Sequence, residues 1–410
     1  MQRFASSMVI RLAFFALFFA GSSHAGGLYL STFGTPDMGV ASAGANAIAN
    51  DASTAHTNPA GMTRLDDHRI LTGLAPGFST VKFDANNQSP SGTGDGGDQG
   101  GFIPVSSNSY VHKLSDRWRS GMSLLSVSGA ALDPSNDWAG RHETTKVELF
   151  TLSFAPMAAF RVTDWLSVGG GPLISYGRMD LTVRVPIGAE PNIKLDDLTD
   201  WAVTGMASVL IEPHPDLRLG VVYQGETEFH LDGDIELPVG GFMPALDLEF
   251  PLAQAVRSSV YWDATDRIAL VMSGGWEDWS VARSLPASTT NASVNVPLNF
   301  RDTWYISAGG FYLVNDKWTL QTGFRYDNSA LKDRHRTTFL PVDRVWTLGV
   351  GGLYDCSEKL QIGLAFSWAN LGSAPVNDPS VKGNYRRNEV FLFGVSLNWK
   401  KLPWSGWGTF

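Results

Sequence analysis

The sequence predicts an all-β protein: a fourteen-stranded antiparallel transmembrane β-barrel with its N-terminal segment inside as a plug. Three observations predict it. Apolar and polar residues alternate along runs that exceed the ~9–11 residues a tilted strand needs to cross a bilayer. Short turns and long polar loops join these runs alternately, the pattern of an outer-membrane barrel. The N-terminus carries an export signal, yet no later stretch is a convincing transmembrane helix, so any spanning falls to strands.

Composition agrees. Of 410 residues, 43% are hydrophobic and 17% charged, below the roughly 25% charged of soluble domains. A mean hydropathy of −0.06 is too polar for a helical membrane protein and suits strands with one lipid face and one wet face. The net charge of −9 gives a nucleic-acid partner no electrostatic support. The single cysteine, Cys356, excludes an intrachain disulfide.

Residues 1–25 read as a secretory signal peptide. Arg3 and Arg11 supply positive charge, Leu12 to Ala20 an apolar core too short to span, and Ser23-His24-Ala25 a small-x-Ala cleavage site. The chain then divides into a plug over 26–67 and a barrel over 68–410.

Residues 26–62 are rich in Gly, Ala, Ser and Asn. They can form short helical turns, but carry too little apolar bulk to fold without a container. Asn58-Pro59-Ala60-Gly61 stops any helix. Asn58 has two readings, a simple Asx turn before Pro59 or a side chain that ties the plug to the wall.

A recurring short turn organises the rest, with an acidic residue at 116, 164, 216, 266, 316 and 358. That period of about fifty would also suit a propeller or solenoid. The connections between these turns favour hairpins: polar segments over 85–101, 132–142, 187–197, 233–246, 283–299, 331–340 and 372–388. Six short turns and seven long loops join fourteen strands. In 217–231 the alternation puts Leu217, Leu219, Val221, Tyr223, Phe229 and Leu231 on one face and Arg218, Gln224, Glu226, Glu228 and His230 on the other. Trp118, Trp165, Trp201, Trp262, Trp304, Trp318, Tyr354, Trp368 and Trp399 cluster beside the connections, as interfacial girdles require.

Three strands break the rule. Residues 70–83 contain Pro76-Gly77, and 165–185 change phase near Gly177. Residues 118–130 change phase between Leu124 and Leu125 and end in Ser128-Gly129-Ala130. The last clear strand ends near Trp399, and residues 400–410 are a tail or a late extension of it.

No nucleophile elbow, phosphate loop, zinc-protease motif or cysteine pair occurs, so the sequence predicts neither an enzyme nor a metal or cofactor site. Arg184, Arg218, Glu226, Glu228, Arg257, Glu277, Arg325 and Asp327 fall on the inferred inward faces, as a polar lumen network or as a source of one cation for an amphipathic head group.

The plug sequence carries a resemblance. Met38-Gly39-Val40-Ala41-Ser42-Ala43-Gly44, Ala47 to Thr54 and Asn58-Pro59-Ala60 are similar to the N-terminal hatch of the FadL family, outer-membrane transporters of long-chain fatty acids and other hydrophobic compounds. Trp276-Glu277-Asp278-Trp279-Ser280, Phe324-Arg325-Tyr326-Asp327 and Leu340 to Trp346 extend it over most of 26–400. The resemblance implies a monomeric barrel in the bacterial outer membrane that takes up hydrophobic small molecules without an energy source and hands them to membrane lipid. It implies a capture groove between long loops, expected at Ile187, Ile193, Leu195, Leu237, Phe242, Met243 and Leu246. It also implies a kinked strand that opens the wall; by order this is the third, with Leu124, Leu125 and Gly129 at the lateral gap. Aromatic hydrocarbons are the alternative cargo on the same fold, and a general porin is the alternative class.

Overall fold

A computed structural model of the chain describes residue 29 and residues 31–87, 89, 92, 94–135, 137–184, 192–236, 242–289 and 292–400. Fourteen antiparallel strands form one closed wall. In chain order β1 is Arg69–Leu74 with Gly77–Ala85, β2 is Phe102–Ile103 with Ser106–Lys113, and β3 is Trp118–Leu132. Then come β4 Lys146–Thr163, β5 Leu166–Arg184, β6 Asn192–His214, β7 Leu217–Gln224 with Thr227–Glu236, and β8 Phe242–Leu252 with Ala255–Thr265. The last six are β9 Ile268–Glu277, β10 Thr303–Asn315, β11 Trp318–Asp327, β12 Val345–Ser357, β13 Leu360–Asn370 and β14 Lys382–Trp399. Strand β1 closes the ring against β14, from Ile70 opposite Trp399 to Leu74 opposite Val395. Residues 401–410 lie outside the described residues.

Burial along the wall is inverted relative to a soluble protein. Val221, Leu270, Leu320, Val350, Leu364 and Phe393 are exposed on the outer face, while Ser123, Ser153, Ser208, Ser259, Ser273 and Ser307 are buried inside. In hydrocarbon an outward Leu costs nothing and an outward Ser gains no water, so the alternation reads in reverse. Trp118, Trp165 and Trp318 sit beside the short turns; Trp276 and Trp346 stand exposed at the opposite end. From Trp318 to Tyr326, which pair with Tyr354 and Trp346, β11 rises ~27 Å along the strand, or roughly 21 Å across the membrane at ~40° tilt, close to the expected apolar band of about 25 Å.

All six predicted short turns join adjacent strands. Several predicted long loops are instead strand: β6 starts at Asn192, β7 runs to Glu236, and Ser284–Thr289 pairs with Ala292–Pro297 as an extra hairpin. Their polar composition marks ladder that continues beyond the membrane, where both faces meet water. The phase assignment for 217–231 needs correction. The strand breaks at Gly225-Glu226, so Phe229 and Leu231 point inward and are buried, while Glu226, Glu228 and His230 are exposed. In β5 the inward face continues through Gly177 to Met179, and the register shifts between Met179 and Leu181.

The hatch fills the lumen with two 3₁₀ turns, Pro36–Val40 and Pro59–Arg64, and two single-turn helices, Ala45–Ile48 and Thr54–Thr57. Its backbone lies against wall glycines. A Cβ on Gly220 would stand 1.8 Å from the Asn46 carbonyl oxygen, and one on Gly323 would stand 2.1 Å from that of Val40. Small residues on both surfaces are what permit this approach. Gly220→Ala is therefore expected to leave the barrel folded, judged by heat-modifiable gel mobility, but to unseat the hatch and raise small-ion conductance. Unchanged conductance would contradict this seating.

Candidate functional site

Polar contacts hold the hatch. Gly44 N–H donates to Ser273 Oγ at 2.8 Å and Asn46 N–H to Ser259 Oγ at 3.2 Å. Ala60 N–H meets Ser208 Oγ at 2.9 Å, and the Thr63 and Ser167 hydroxyls are 2.7 Å apart. Arg161 donates to the Thr63 carbonyl at 2.7 Å, Arg119 to that of Leu65 at 2.9 Å, and Arg64 pairs with Glu212. Asn58 combines both roles considered for it. Its Oδ1 accepts from Ala60 N–H at 3.1 Å, the Asx turn over Pro59. Its Nδ2 donates to the carbonyls of Asn46 at 2.6 Å and Val209 at 3.2 Å, the second of them on the wall. Neutral hydrogen bonds contribute ~0.5–1.5 kcal/mol each, so the seat is firm in sum and weak at any one point.

The hatch also carries strain and unfavourable burial. Ala41, Ser42 and Ala49 adopt positive φ values of 52°, 58° and 44°, a region that costs non-glycine residues roughly 1–2 kcal/mol each. Burial raises the Asp37 carboxyl to about 6, opposed by a hydrogen bond from Thr35 and assisted by the charge of Asp51. Burial likewise raises Asp51 and lowers His56 to about 4, so His56 is neutral beside the Ser109 and Ser123 hydroxyls, each 3.3 Å away.

Above the hatch lies a cavity of about 200 Å³. Its wall is mostly apolar: Val81 from β1, Ile103 and Val105 from β2, Leu132 from β3, Phe339 to Val342 from the β11–β12 loop, and Val390 and Leu392 from β14. Ser79, Thr32, Thr347 and Ser367 add hydroxyls. The loop that supplies Phe339 to Val342 is fixed by Arg336, which is fully buried, donates to the Val342 and Pro375 carbonyls at 3.2 and 3.0 Å, and pairs with Asp333 and Asp343. Glu143 braces the same loop, accepting from Thr338 N–H at 2.9 Å and from Ser380 Oγ at 2.6 Å.

Beside the cavity the wall is interrupted. The β2–β3 ladder runs from Lys113 opposite Arg119 to Ser107 opposite Leu125 and stops. Above it β2 turns to β1, where Phe102 and Ile103 pair with Phe78 and Gly77. Contact resumes only where Asp133 N–H donates to the Gln99 carbonyl at 2.9 Å. Residues 126–132 of β3 thus have no strand partner on the β2 side among the described residues, a break of roughly 20 Å at about 3.3 Å per residue. Two local features favour it. A bulge between Ser126 and Ser128 bends β3, and Pro104 has no N–H to offer. Ile103, Val105, Ala131 and Leu132 line the cavity at the edges of the break. Phe78, Phe102, Phe150 and Phe154 are exposed on the outer surface around it.

Below the apolar cavity the lumen is mixed, with ion pairs and amides on one side and Phe33, Leu125, Leu173 and Met206 beside them. A second cavity of about 90 Å³ is lined by Gln224, Arg257, Glu277, Tyr305, Arg325 and the hatch residues Asp37, Asn46 and His56. Arg325 grips Asp327 with Nε at 2.8 Å and Nη2 at 2.6 Å, and its guanidinium stacks 3.6 Å from the Tyr305 ring. Arg257 donates to Gln224 at 3.0 Å and lies 3.8 Å from Glu277.

Of the seven residues expected in a capture groove, Leu195 and Leu246 have described side chains, and neither is among the described residues lining the apolar cavity. Leu246 is buried, and Leu195 packs beside it, in an apolar cluster with Trp279, Phe300 and Leu340. Ile187 and Leu237 lie outside the described residues; Ile193, Phe242 and Met243 sit on strands, and their side chains also lie outside the description. Leu124 is exposed and Leu125 buried at the last rung of the interrupted ladder, and Gly129 falls within the unpaired stretch. Sequence reasoning missed the cavity-lining residues. Phe339-Leu340-Pro341-Val342, an apolar run inside a polar loop, was the available signal.

A closed barrel with an apolar outer band, a lumen stopped by a hatch and an internal apolar cavity defines an outer-membrane transport channel for hydrophobic compounds. The chain belongs to the outer membrane protein transport protein family (OMPP1/FadL/TodX), whose model matches residues 16–399. It is 23% identical to the long-chain fatty acid transport protein of Escherichia coli (strain K12), over 91% of this chain and 94% of that one. Among solved structures, a Pseudomonas aeruginosa FadL homologue superposes with a TM-score of 0.83 at 20% identity, over 92% of this chain and 100% of that one. The Ralstonia pickettii toluene transporter TbuX superposes with a TM-score of 0.68 at 16% identity, over 91% and 99%. The family is one of transport channels, not enzymes.

Two outcomes follow for the hatch. Asn58→Ala removes a tie to the wall and should raise conductance through correctly folded barrels; normal conductance and uptake would reduce Asn58 to its turn. Asp37 is favoured protonated when buried, so its own contribution to seating is largest below its ordinary value near 3.8 and is lost as pH rises through about 6, whereas buried neutral His56 contributes above its ordinary 6.5 and loses that contribution as pH falls towards about 4. Between pH 5 and pH 8 the Asp37 contribution alone is worth roughly a tenfold change in the unseated population. Asp37→Asn should remove the loosening at higher pH, so that protease cleavage within the hatch rises less, or falls more, between pH 5 and pH 8 than in the wild type; an unchanged profile would contradict this role of Asp37.

Proposed function

We propose that this protein is a passive, monomeric outer-membrane uptake channel for long-chain fatty acids or similar hydrophobic molecules, and that it releases them sideways into the bilayer. The observation that carries the reading is an apolar cavity directly behind a break in the strand ladder.

The route has three stages. Apolar surface on loops 187–199 and 233–250 captures the solute; here Leu195 and Leu246 join the apolar cluster that contains Leu340. Burial of apolar surface favours capture by about 25 cal/mol per Å². Leu340 also lines the cavity, so apolar side chains link the loops to the cavity, and opening of this cluster lets the solute pass inward. A shift of the hatch then loosens the site, since Tyr29, Ser31 and Thr32 at the hatch's N-terminal end form part of the cavity wall. The solute leaves between β2 and β3 past Phe102 and Phe150 into hydrocarbon.

Aromatic hydrocarbons are a second reading of the cargo. It is favoured by the likeness to a protein described as a toluene transporter, and competition between oleate and toluene separates the two. A general porin needs an open lumen, which the hatch occupies.

Cells making the full-length protein should take up labelled oleate or toluene. A variant lacking residues 26–62 that still reaches the outer membrane should lose selective uptake or leak. For the exit, Cys356→Ser with Val105→Cys and Ala131→Cys allows a bifunctional maleimide to bridge the break. Bridging should lower uptake at least tenfold, and undiminished uptake would overturn lateral release.

A further inference from the structure

The ion pair between Arg325 and Asp327 lies between the two cavities, and it is oriented. Asp327 lines the apolar cavity, while Arg325 lines the polar one beneath. Asp327 is the sole charged residue among the described residues lining the apolar cavity, and no Lys, Arg or His is among them. The guanidinium is turned away and occupied: it holds both Asp327 oxygens and stacks on Tyr305. Arg257 belongs to the lower cavity and lies beside Gln224 and Glu277. The Lys, Arg and His outside the described residues are Arg3, Arg11 and His24, all in the expected signal peptide, and Lys401.

A free carboxylate in the apolar cavity would therefore lose its water, find no cationic side chain among the described lining residues, and face a carboxylate that already occupies the nearest guanidinium. Burying an unpaired charge is among the most unfavourable contacts a protein can make. A neutral head meets a different surface. Thr347 and Ser367 line the same cavity as Asp327, and hydroxyls both donate and accept, so they suit an alcohol or an ester oxygen.

We propose that Asp327 is a specificity-determining residue that selects uncharged over anionic cargo, so that this channel carries neutral long-chain compounds such as fatty alcohols and esters in preference to free fatty acids. The inference rests on the uptake reading above and narrows its substrate class.

The test uses oleyl alcohol and oleate, which share a chain and differ at the head. Cells making the full-length protein and vector-only cells are given each compound, labelled, at pH 7.5, and protein-dependent uptake is expressed as the alcohol-to-oleate ratio. The expected ratio exceeds tenfold. Asp327→Asn, with folding checked by heat-modifiable mobility, removes the repelling charge and releases Arg325, and should lower the ratio at least fivefold. Asp327→Glu keeps the charge and should keep the ratio within twofold of wild type. A ratio near or below one, or one that Asp327→Asn leaves unchanged, overturns the proposal while the channel stands. If Asp327→Asn does not fold, the wild-type ratio and the Asp327→Glu variant still decide. No protein-dependent uptake of alcohol, oleate or toluene overturns the uptake reading itself, and this selectivity with it.

Discussion

Backbone hydrogen bonding in the absence of water governs this structure. In hydrocarbon an unpaired N–H or C=O costs several kcal/mol, so a spanning sheet must close. Pairing of β1 with β14 meets that demand, and it puts residues 69–85 next to residues 382–399, the two ends of the wall. The other features depend on closure: apolar side chains face outward, serines and glycines face inward, and the interior is a tube that needs a stopper. The β2–β3 break is the exception, and it is tolerable because protein lies behind it. Unpaired backbone at membrane depth persists where it lines a cavity or is covered by protein, and residues on both edges of the break line the cavity.

The hatch solves a different problem. A plug held by a well-packed apolar core could not shift without a large loss, because removing Leu-sized contacts costs 2–5 kcal/mol apiece. This hatch is instead built mainly from Ala, Gly, Ser and Asn; Met38, Val40, Ile48, Met62 and Leu65 pack on wall side chains, and its polar contacts to the wall are serine hydroxyls, carbonyls, two wall arginines and the Arg64–Glu212 pair. Such contacts can be exchanged for water one at a time. Positive φ at Ala41, Ser42 and Ala49, and the buried carboxyls of Asp37 and Asp51, work against the seated state. These terms weaken the seated state, in the direction the proposed release step requires.

The barrel was legible in the sequence because strand alternation and turn chemistry are local. Asp316-Lys317 marks a two-residue turn, and Trp318, Leu320 and Phe324 mark an outward face, whatever the rest of the chain does. Reading failed where phase depends on a break. Gly225-Glu226 interrupts β7, and everything after it turns over, so Phe229 and Leu231 enter the interior apolar cluster instead of facing lipid. The cavity was not legible for a deeper reason. Val81, Ile103, Leu132, Leu340 and Leu392 are distant in sequence and meet only once the ring is closed and Arg336 has folded the β11–β12 loop inward. The Leu124–Leu125 irregularity was visible, but its meaning depends on what β2 does opposite, and β2 is diverted by its pairing with β1 at Phe102 and Ile103.

The layering of the lumen bears on direction. Leu195 and Leu246 belong with Trp279, Phe300 and Leu340 to one apolar cluster, and Leu340 also lines the cavity. Below it stand Arg257, Glu277, Arg325, Tyr305 and the polar backbone of the hatch. An apolar solute moving straight through would have to displace those ion pairs or their water and gain nothing in return, because charged groups are costly to strip of partners. Moving sideways, it exchanges one apolar surface for another past Phe102 and Phe150. Under the proposed route, the charged floor is what makes the side exit the path of lower free energy, and no energy source is needed beyond the preference of apolar surface for hydrocarbon over water.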